Sequence, residues 1–211
     1  MKKRLLLLSL LAFLPLHADP GADALAERVM QASGAANWPR VERIQFTFRV
    51  VVDGQEKVSA THDWNVAANT DTVTWAGKTV TVDLGKPTTS DDEKAAFQRW
   101  TNDAYWLLGP LKLKDPGTEL AQPSENGLLI SFKNVGLTPG DRYLYEINPA
   151  THLPTAWTYI PNAETKKTAT WEKYVTSGPL TLSTYHKMGN VEIIIDGLDV
   201  TAKVPVPEKA P

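Results

Sequence analysis

The chain has 211 residues, no cysteine and only four histidines. Without cysteine there is no disulfide, no thiolate nucleophile and no sulfur ligand for zinc. The histidines do not fill that gap. His62 and His186 fall inside alternating runs, His152 falls in a turn, and none stands at His-x-x-x-His spacing or beside a glutamate placed to share a metal. There is no Gly-x-Ser-x-Gly elbow and no glycine loop of the kind that cradles phosphate. The neighbouring carboxylates Asp91 and Asp92 suit the positive end of a helix better than acid–base chemistry. These absences leave no catalytic residue, metal or cofactor to assign, and the expectation is a protein that is not an enzyme.

Positive charge is also scarce once the first residues are set aside. "MKKRLLLLSLLAFLPLHA" places Lys2, Lys3 and Arg4 ahead of an apolar run from Leu5 to Leu16, with a small residue at Ala18. This is the pattern of a cleaved secretory signal, too short and wrongly flanked to span a bilayer. The cut is expected after Ala18, and the absence of cysteine excludes amino-terminal acylation. Removing the three basic residues from 22 leaves 19 against 24 acidic ones, a charge of about −5. A nucleic-acid partner is not expected of such a chain, because neutralising phosphates demands clustered Lys and Arg. The expected organisation is a signal over 1–18, one domain over 19–203 and a loose proline-rich tail over 204–211.

Aromatic residues are plentiful, with seven tryptophans, six tyrosines and five phenylalanines. Along the chain, Leu25, Val29 and Ala32 share one face of a helix predicted over 22–33, with Gly34 as its stop. In "VERIQFTFRVVV" the residues Ile44, Phe46, Phe48, Val50 and Val52 alternate with polar ones, a strand pattern that ends in the hairpin signal Asp53-Gly54. Val58, Ala60, His62, Trp64 and Val66 continue the alternation in a return strand. Val73 and Trp75, then Val80, Val82 and Leu84, complete an antiparallel meander. Ser90 to Glu93 spells a capping box, and Phe97, Trp100, Ala104, Leu107 and Leu108 follow at helical spacing until Gly109-Pro110. A loop is expected up to about Pro123.

Strands resume at Leu128, Ile130 and Phe132, at Tyr143, Tyr145 and Ile147, and at Trp157 and Tyr159. Further runs hold Ala169 and Trp171, Leu180 and Leu182, and Val191, Ile193 and Ile195. Pro139-Gly140 has the residues of a type II turn, and Asp196-Gly197 reads as another turn. About ten strands joined by short turns must curl. The predicted fold class is mainly β (α+β), an antiparallel incomplete barrel with two or three helices covering its concave face. No strands remain to form a second sheet, so only the helices can line the concavity.

Too few helices to fill a wide concavity would leave an apolar cleft. Its candidate wall is Phe46, Phe48, Val50, Trp64, Trp75, Trp100, Trp106, Tyr143, Tyr145 and Trp157. The competing reading makes the same rings ordinary core. At about 0.8 kcal/mol per buried methylene, ten methylenes give roughly 8 kcal/mol gross, the scale of micromolar binding, so an apolar wall alone suffices. His62, in phase with Trp64, reads as a satisfied core histidine or as a polar contact in that wall. The stretch "NDAYWLLGPLKLKDPG" reads either as a lid or as ordinary helix-edge packing.

"VERIQFTFRV", "HDWNV" and "TVTWAGKTVTVDL", with the later "DRYLYEINPATHLPTAWTYI", resemble the LolA-like periplasmic proteins, a group that includes the outer-membrane lipoprotein carrier. The resemblance covers most of the chain after the leader, in pattern more than in identity. It implies an incomplete antiparallel barrel with a helical lid, located in the periplasm, whose apolar cavity receives lipid or lipoprotein acyl chains. Carriers of this family usually place a basic residue and a proline after the strand tryptophan. Here Trp64 is followed by "NVAANTDT" with no arginine. The expected function is a binding protein, a monomer, whose partner is a lipid, an acylated protein or another hydrophobic ligand, with an envelope protein as a further partner. The alternative is a protein-binding envelope module, such as a stress regulator or assembly factor, with no lipid ligand.

Overall fold

Alternation places Ile44, Phe46 and Phe48 on one face of β1 (Val41–Val52), the central strand of a seven-stranded antiparallel sheet. On one side of it lie β2 (Gln55–Asn65), β3 (Thr70–Trp75) and β4 (Lys78–Asp83), and on the other β12 (Val191–Ala202), β11 (Leu180–Met188) and β10 (Glu172–Ser177). The computed structural model describes residues 19–133, 140–162 and 164–203. The expected signal, the tail and Pro139 of the expected type II turn lie outside those residues. Asp53 and Gly54 both take positive φ, 51° and 76°, as a type I′ hairpin turn requires.

A second antiparallel sheet has five strands: β5 (Thr118–Ser124), β6 (Gly127–Phe132), β7 (Arg142–Ile147), β8 (Pro154–Ile160) and β9 (Lys167–Thr170). The expectation of one sheet with no strands to spare is therefore corrected: the described residues form twelve strands in two sheets that do not close into a barrel. Two local features account for the difference. The run around Ala169 and Trp171 is cut at Trp171, so that β9 pairs with β8 while β10 pairs with β11. The expected loop before Pro123 contains β5, whose polar residues pair with β6 at the sheet edge, where a proline without an N–H is tolerated. Asp196-Gly197 is likewise no turn. β12 continues through it with Gly197 at φ 61°, beside a register shift against β1, as in a bulge.

Two helices are fastened by the local chemistry of their ends. In α1 (Pro20–Ala32) the Asp19 carboxylate accepts hydrogen bonds from the N–H groups of Gly21 and Ala22 and, at 2.9 Å, from that of Gln122 on β5. The cap thus ties the helix to the sheet edge. Gly34 ends this segment at φ 90°, and a Cβ there would stand 2.4 Å from the Pro179 carbonyl oxygen, so both conformation and space demand glycine. In α2 (Asp91–Leu108), Ser90 accepts from the Glu93 N–H at 3.2 Å. The Glu93 carboxylate reaches back to the N–H and hydroxyl of Thr89, one residue beyond the usual capping-box partner.

Candidate functional site

α2 lies between the two sheets and is apolar on two sides for that reason. Ala104, Leu107 and Leu108 pack with Phe46, Phe48, Leu182 and Ile195 of the larger sheet. Tyr105 and Trp106 turn to Trp157 of the smaller one, with ring centroids 5.4 and 4.5 Å from it. This explains why "TNDAYWLLGP" carries more apolar surface than one helix face needs. At the carboxyl end, Gly109 adopts ordinary helical angles and the chain continues into a 3₁₀ turn over 109–111. Its role is space: a Cβ would sit 2.6 Å from the Tyr145 hydroxyl oxygen.

Between α2 and the five-stranded sheet the packing leaves a cavity of about 550 Å³. Trp100, Tyr105 and Trp106 of α2 form one wall, and Phe132, Tyr143, Trp157 and Tyr159 of the smaller sheet form the facing one. Trp64 and Met188 reach it from the larger sheet, and Lys112, Asp115, Asp141 and Lys167 supply its charged groups. Lys112 pairs with Asp115 at 2.7 Å, and the Tyr159 hydroxyl donates to Asp141 at 3.1 Å. Burial first, then the charge of Asp141, pushes the Tyr143 hydroxyl well above its usual range, so it stays neutral.

Of the ten residues expected on the wall, Trp64, Trp100, Trp106, Tyr143 and Trp157 line this cavity and the other five do not. Phe46 and Phe48 are 2 % exposed on the central strand, in one cluster with Leu107 and Leu108 of α2, and Val50 packs at the margin of that cluster. The helix seated there leaves no space. Trp75 belongs to a separate cluster with Val73, Val82 and Ala96, and the Arg99 guanidinium lies 5.2 Å over its ring. Tyr145 is fully buried one step inward of Tyr143, near Trp157 and Trp171. The wall residues that sequence reasoning left out are chiefly Tyr105, Phe132 and Tyr159. Two of them carry a signal: Tyr159 is in phase with Trp157, and Phe132 continues the alternation of Leu128 and Ile130.

The wet side of α2 has its own explanation. Asp103 is 3 % exposed and its carboxylate meets His62 Nε2 at 3.0 Å, while His62 Nδ1 meets the Asp71 carboxylate at 2.7 Å. Phe46 stacks on the imidazole at 4.6 Å. Burial alone pulls His62 toward the neutral form, but the hydrogen bonds to Asp103 and Asp71 and their negative charge outweigh it, and its pKa is raised. An imidazolium is the ring form that donates from both nitrogens. His62 is thus a satisfied core histidine with no ring nitrogen left to ligate a metal, and it ties α2 to β2 and β3. A polar tie from this strand to the helix is made at His62, two residues before Trp64.

His186 is the opposite case. It lies under Trp106 and Trp171, with ring centroids at 5.2 and 4.6 Å, and burial pulls its pKa down to about 4 against the hydrogen bond of its Nδ1 with the Thr170 carbonyl at 3.1 Å. Neither histidine lines the cavity. The threonine hydroxyls that do are bonded to backbone carbonyls: Thr101 donates to Phe97 at 2.9 Å and Thr118 donates to Asp115 at 2.8 Å. What the arrangement offers a small molecule is a ring-lined apolar interior with a balanced polar rim.

No protein-family model and no curated protein sequence matches the chain. Solved structures do. A DUF1329 family protein from Desulfovibrio piger is similar at 12 % identity, with 88 % of this chain and 94 % of that one aligned and a TM-score of 0.51. A LolA superfamily protein from Nitrosomonas europaea is similar at 10 % identity, over 86 % of this chain and 94 % of that one, with a TM-score of 0.44. The chain thus shares the fold of the DUF1329 family protein. At these identities the likeness speaks of fold alone. Among the described residues no helix is long and apolar enough to cross a membrane.

Proposed function

We propose that this protein is a non-enzymatic binding protein of the periplasm that holds a hydrophobic ligand between α2 and the five-stranded sheet. One observation carries the reading: a cavity of about 550 Å³ walled by aromatic rings from two elements. Small-molecule pockets of about 300–1,000 Å³ with apolar walls and a few polar groups are typical ligand sites. Filling it with about fifteen methylene-sized groups gives roughly 12 kcal/mol gross. With an association cost of about 4 kcal/mol, roughly 8 kcal/mol remains, the scale of micromolar binding. The periplasmic location rests on the leader pattern of residues 1–18, and the absence of catalysis on the engaged hydroxyls and remote histidines.

The test is to isolate the protein from its native envelope under mild conditions, record its mass without denaturation and identify what is extracted from it. A stoichiometric hydrophobic molecule is the expected result. Bare chain mass, with no uptake of added lipid and a defined envelope protein recovered instead, would replace this reading with that of a protein-binding module.

A further inference from the structure

We infer that the ligand is an amphiphile with an apolar body and one anionic head, a carboxylate or a phosphate, and that Lys167 receives the head; this names the ligand class of the binding function proposed above and rests on it. The register of the smaller sheet places the lysine. Ile130 pairs with Tyr143, Tyr143 with Tyr159, and Tyr159 with Lys167. Residues directly opposite in an antiparallel ladder leave the same face of the sheet. The row therefore runs along the cavity side from the fully buried Ile130, past two rings, to a cation on the edge strand β9, and Tyr143, Tyr159 and Lys167 all line the cavity.

The charges of the rim balance in sum but not in pairing. Lys112 is held by Asp115 at 2.7 Å. The Asp141 carboxylate is 8 % exposed and accepts from the Tyr159 hydroxyl at 3.1 Å. Lys167 is exposed, and among the described residues it forms no ion pair. An apolar wall cannot discriminate between head groups, whereas an ammonium at its end can. Because that ammonium stays in contact with water, a head group placed there keeps part of its hydration and escapes the heavy cost of burying a charge. The rings thus supply affinity and the lysine supplies selection. A lysine is a point charge with three rotatable donors and makes no demand for a planar partner, so carboxylate and phosphate both suit it.

An inward-pointing lysine on an edge strand also discourages pairing with a further strand. That role alone would leave head-group preference untouched when the lysine is replaced, which makes the two separable. N-phenyl-1-naphthylamine, a neutral apolar probe, is displaced at low salt by amphiphiles that share one chain and differ in head: dodecanoate, dodecyl phosphate, dodecanol and dodecyltrimethylammonium. In the wild type at least one anion should bind about fivefold more tightly than the alcohol, the scale of one partly exposed ion pair. The preference should shrink at about 0.5 M salt, fall to near parity in Lys167→Gln and turn toward the trimethylammonium head in Lys167→Glu, with folding of both variants verified by circular dichroism. Tighter binding of dodecanoate assigns a carboxylate head and tighter binding of dodecyl phosphate a phosphate head; either supports the proposal. No anion preference in the wild type, or the same preference in wild type and Lys167→Gln, overturns the head-group assignment while leaving a hydrophobic-ligand protein. If the naphthylamine itself does not bind, the binding function falls and the assignment with it.

Discussion

Replacing His62 tests how α2 is held. With an imidazolium between two carboxylates the cluster carries one net negative charge, and all three side chains are at most 4 % exposed. His62→Leu removes the cation and leaves Asp71 and Asp103 buried without it. Breaking a buried ion pair by deleting one partner costs about 3–5 kcal/mol. Asp103→Asn keeps an acceptor for Nε2–H and gives up only the charge assistance of one hydrogen bond, a loss of about 1 kcal/mol. Urea denaturation followed by tryptophan fluorescence gives both values from the shift in midpoint. A His62→Leu loss smaller than that of Asp103→Asn, or below about 1 kcal/mol, would refute the claim that the cluster works as a cation between two carboxylates.

The same cluster sets a sign for pH. The folded pKa of His62 is raised, so its stabilising effect is complete below the unfolded value of about 6.5 and is lost as pH rises through the folded value. The stability gap between wild type and His62→Leu should narrow on the alkaline side. A gap that widens there would contradict the assignment.

Other outcomes follow from the same packing. His186 is depressed to about 4, so its contribution is present above about 6.5 and is lost as pH falls through 4, by roughly 3 kcal/mol in all; His186→Phe should flatten that acid limb in a thermal-unfolding series. Gly109→Ala places a methyl 2.6 Å from the Tyr145 hydroxyl oxygen and should lower stability by about 1–3 kcal/mol in urea. Phe48→Asp, a natural choice for blocking a cleft, puts a carboxylate in the core beneath α2 and should unfold the protein rather than selectively abolish ligand uptake; a folded Phe48→Asp variant by circular dichroism would contradict its core placement.

What was legible in the sequence divides along the range of the interactions involved. The hairpins, the caps of both helices and the phase of β1 and β2 are local, so alternation, Asp53-Gly54 and Ser90-x-x-Glu93 announce them. The division into two sheets depends on where one strand stops, and nothing in "KTATWEKYV" marks Trp171 as the point of transfer. β5 has no local signature because an edge strand needs neither alternation nor freedom from proline. The site divides in the same way. Aromatic alternation finds candidates for a wall, yet Phe48 and Tyr143 have the same pattern, and only the seat of α2 makes one of them core and the other cavity lining. The Asp71–His62–Asp103 cluster joins residues 9 and 41 positions apart, and no local spacing announces a contact of that length.

The central claim, that the space between α2 and the five-stranded sheet binds a hydrophobic molecule, is tested most directly by titrating N-phenyl-1-naphthylamine into the wild type and into Thr101→Trp. The account predicts saturable binding of one probe per chain in the wild type and at least tenfold weaker binding in the equally folded variant. Absence of saturable binding in the wild type, or the same affinity in both proteins, would contradict it.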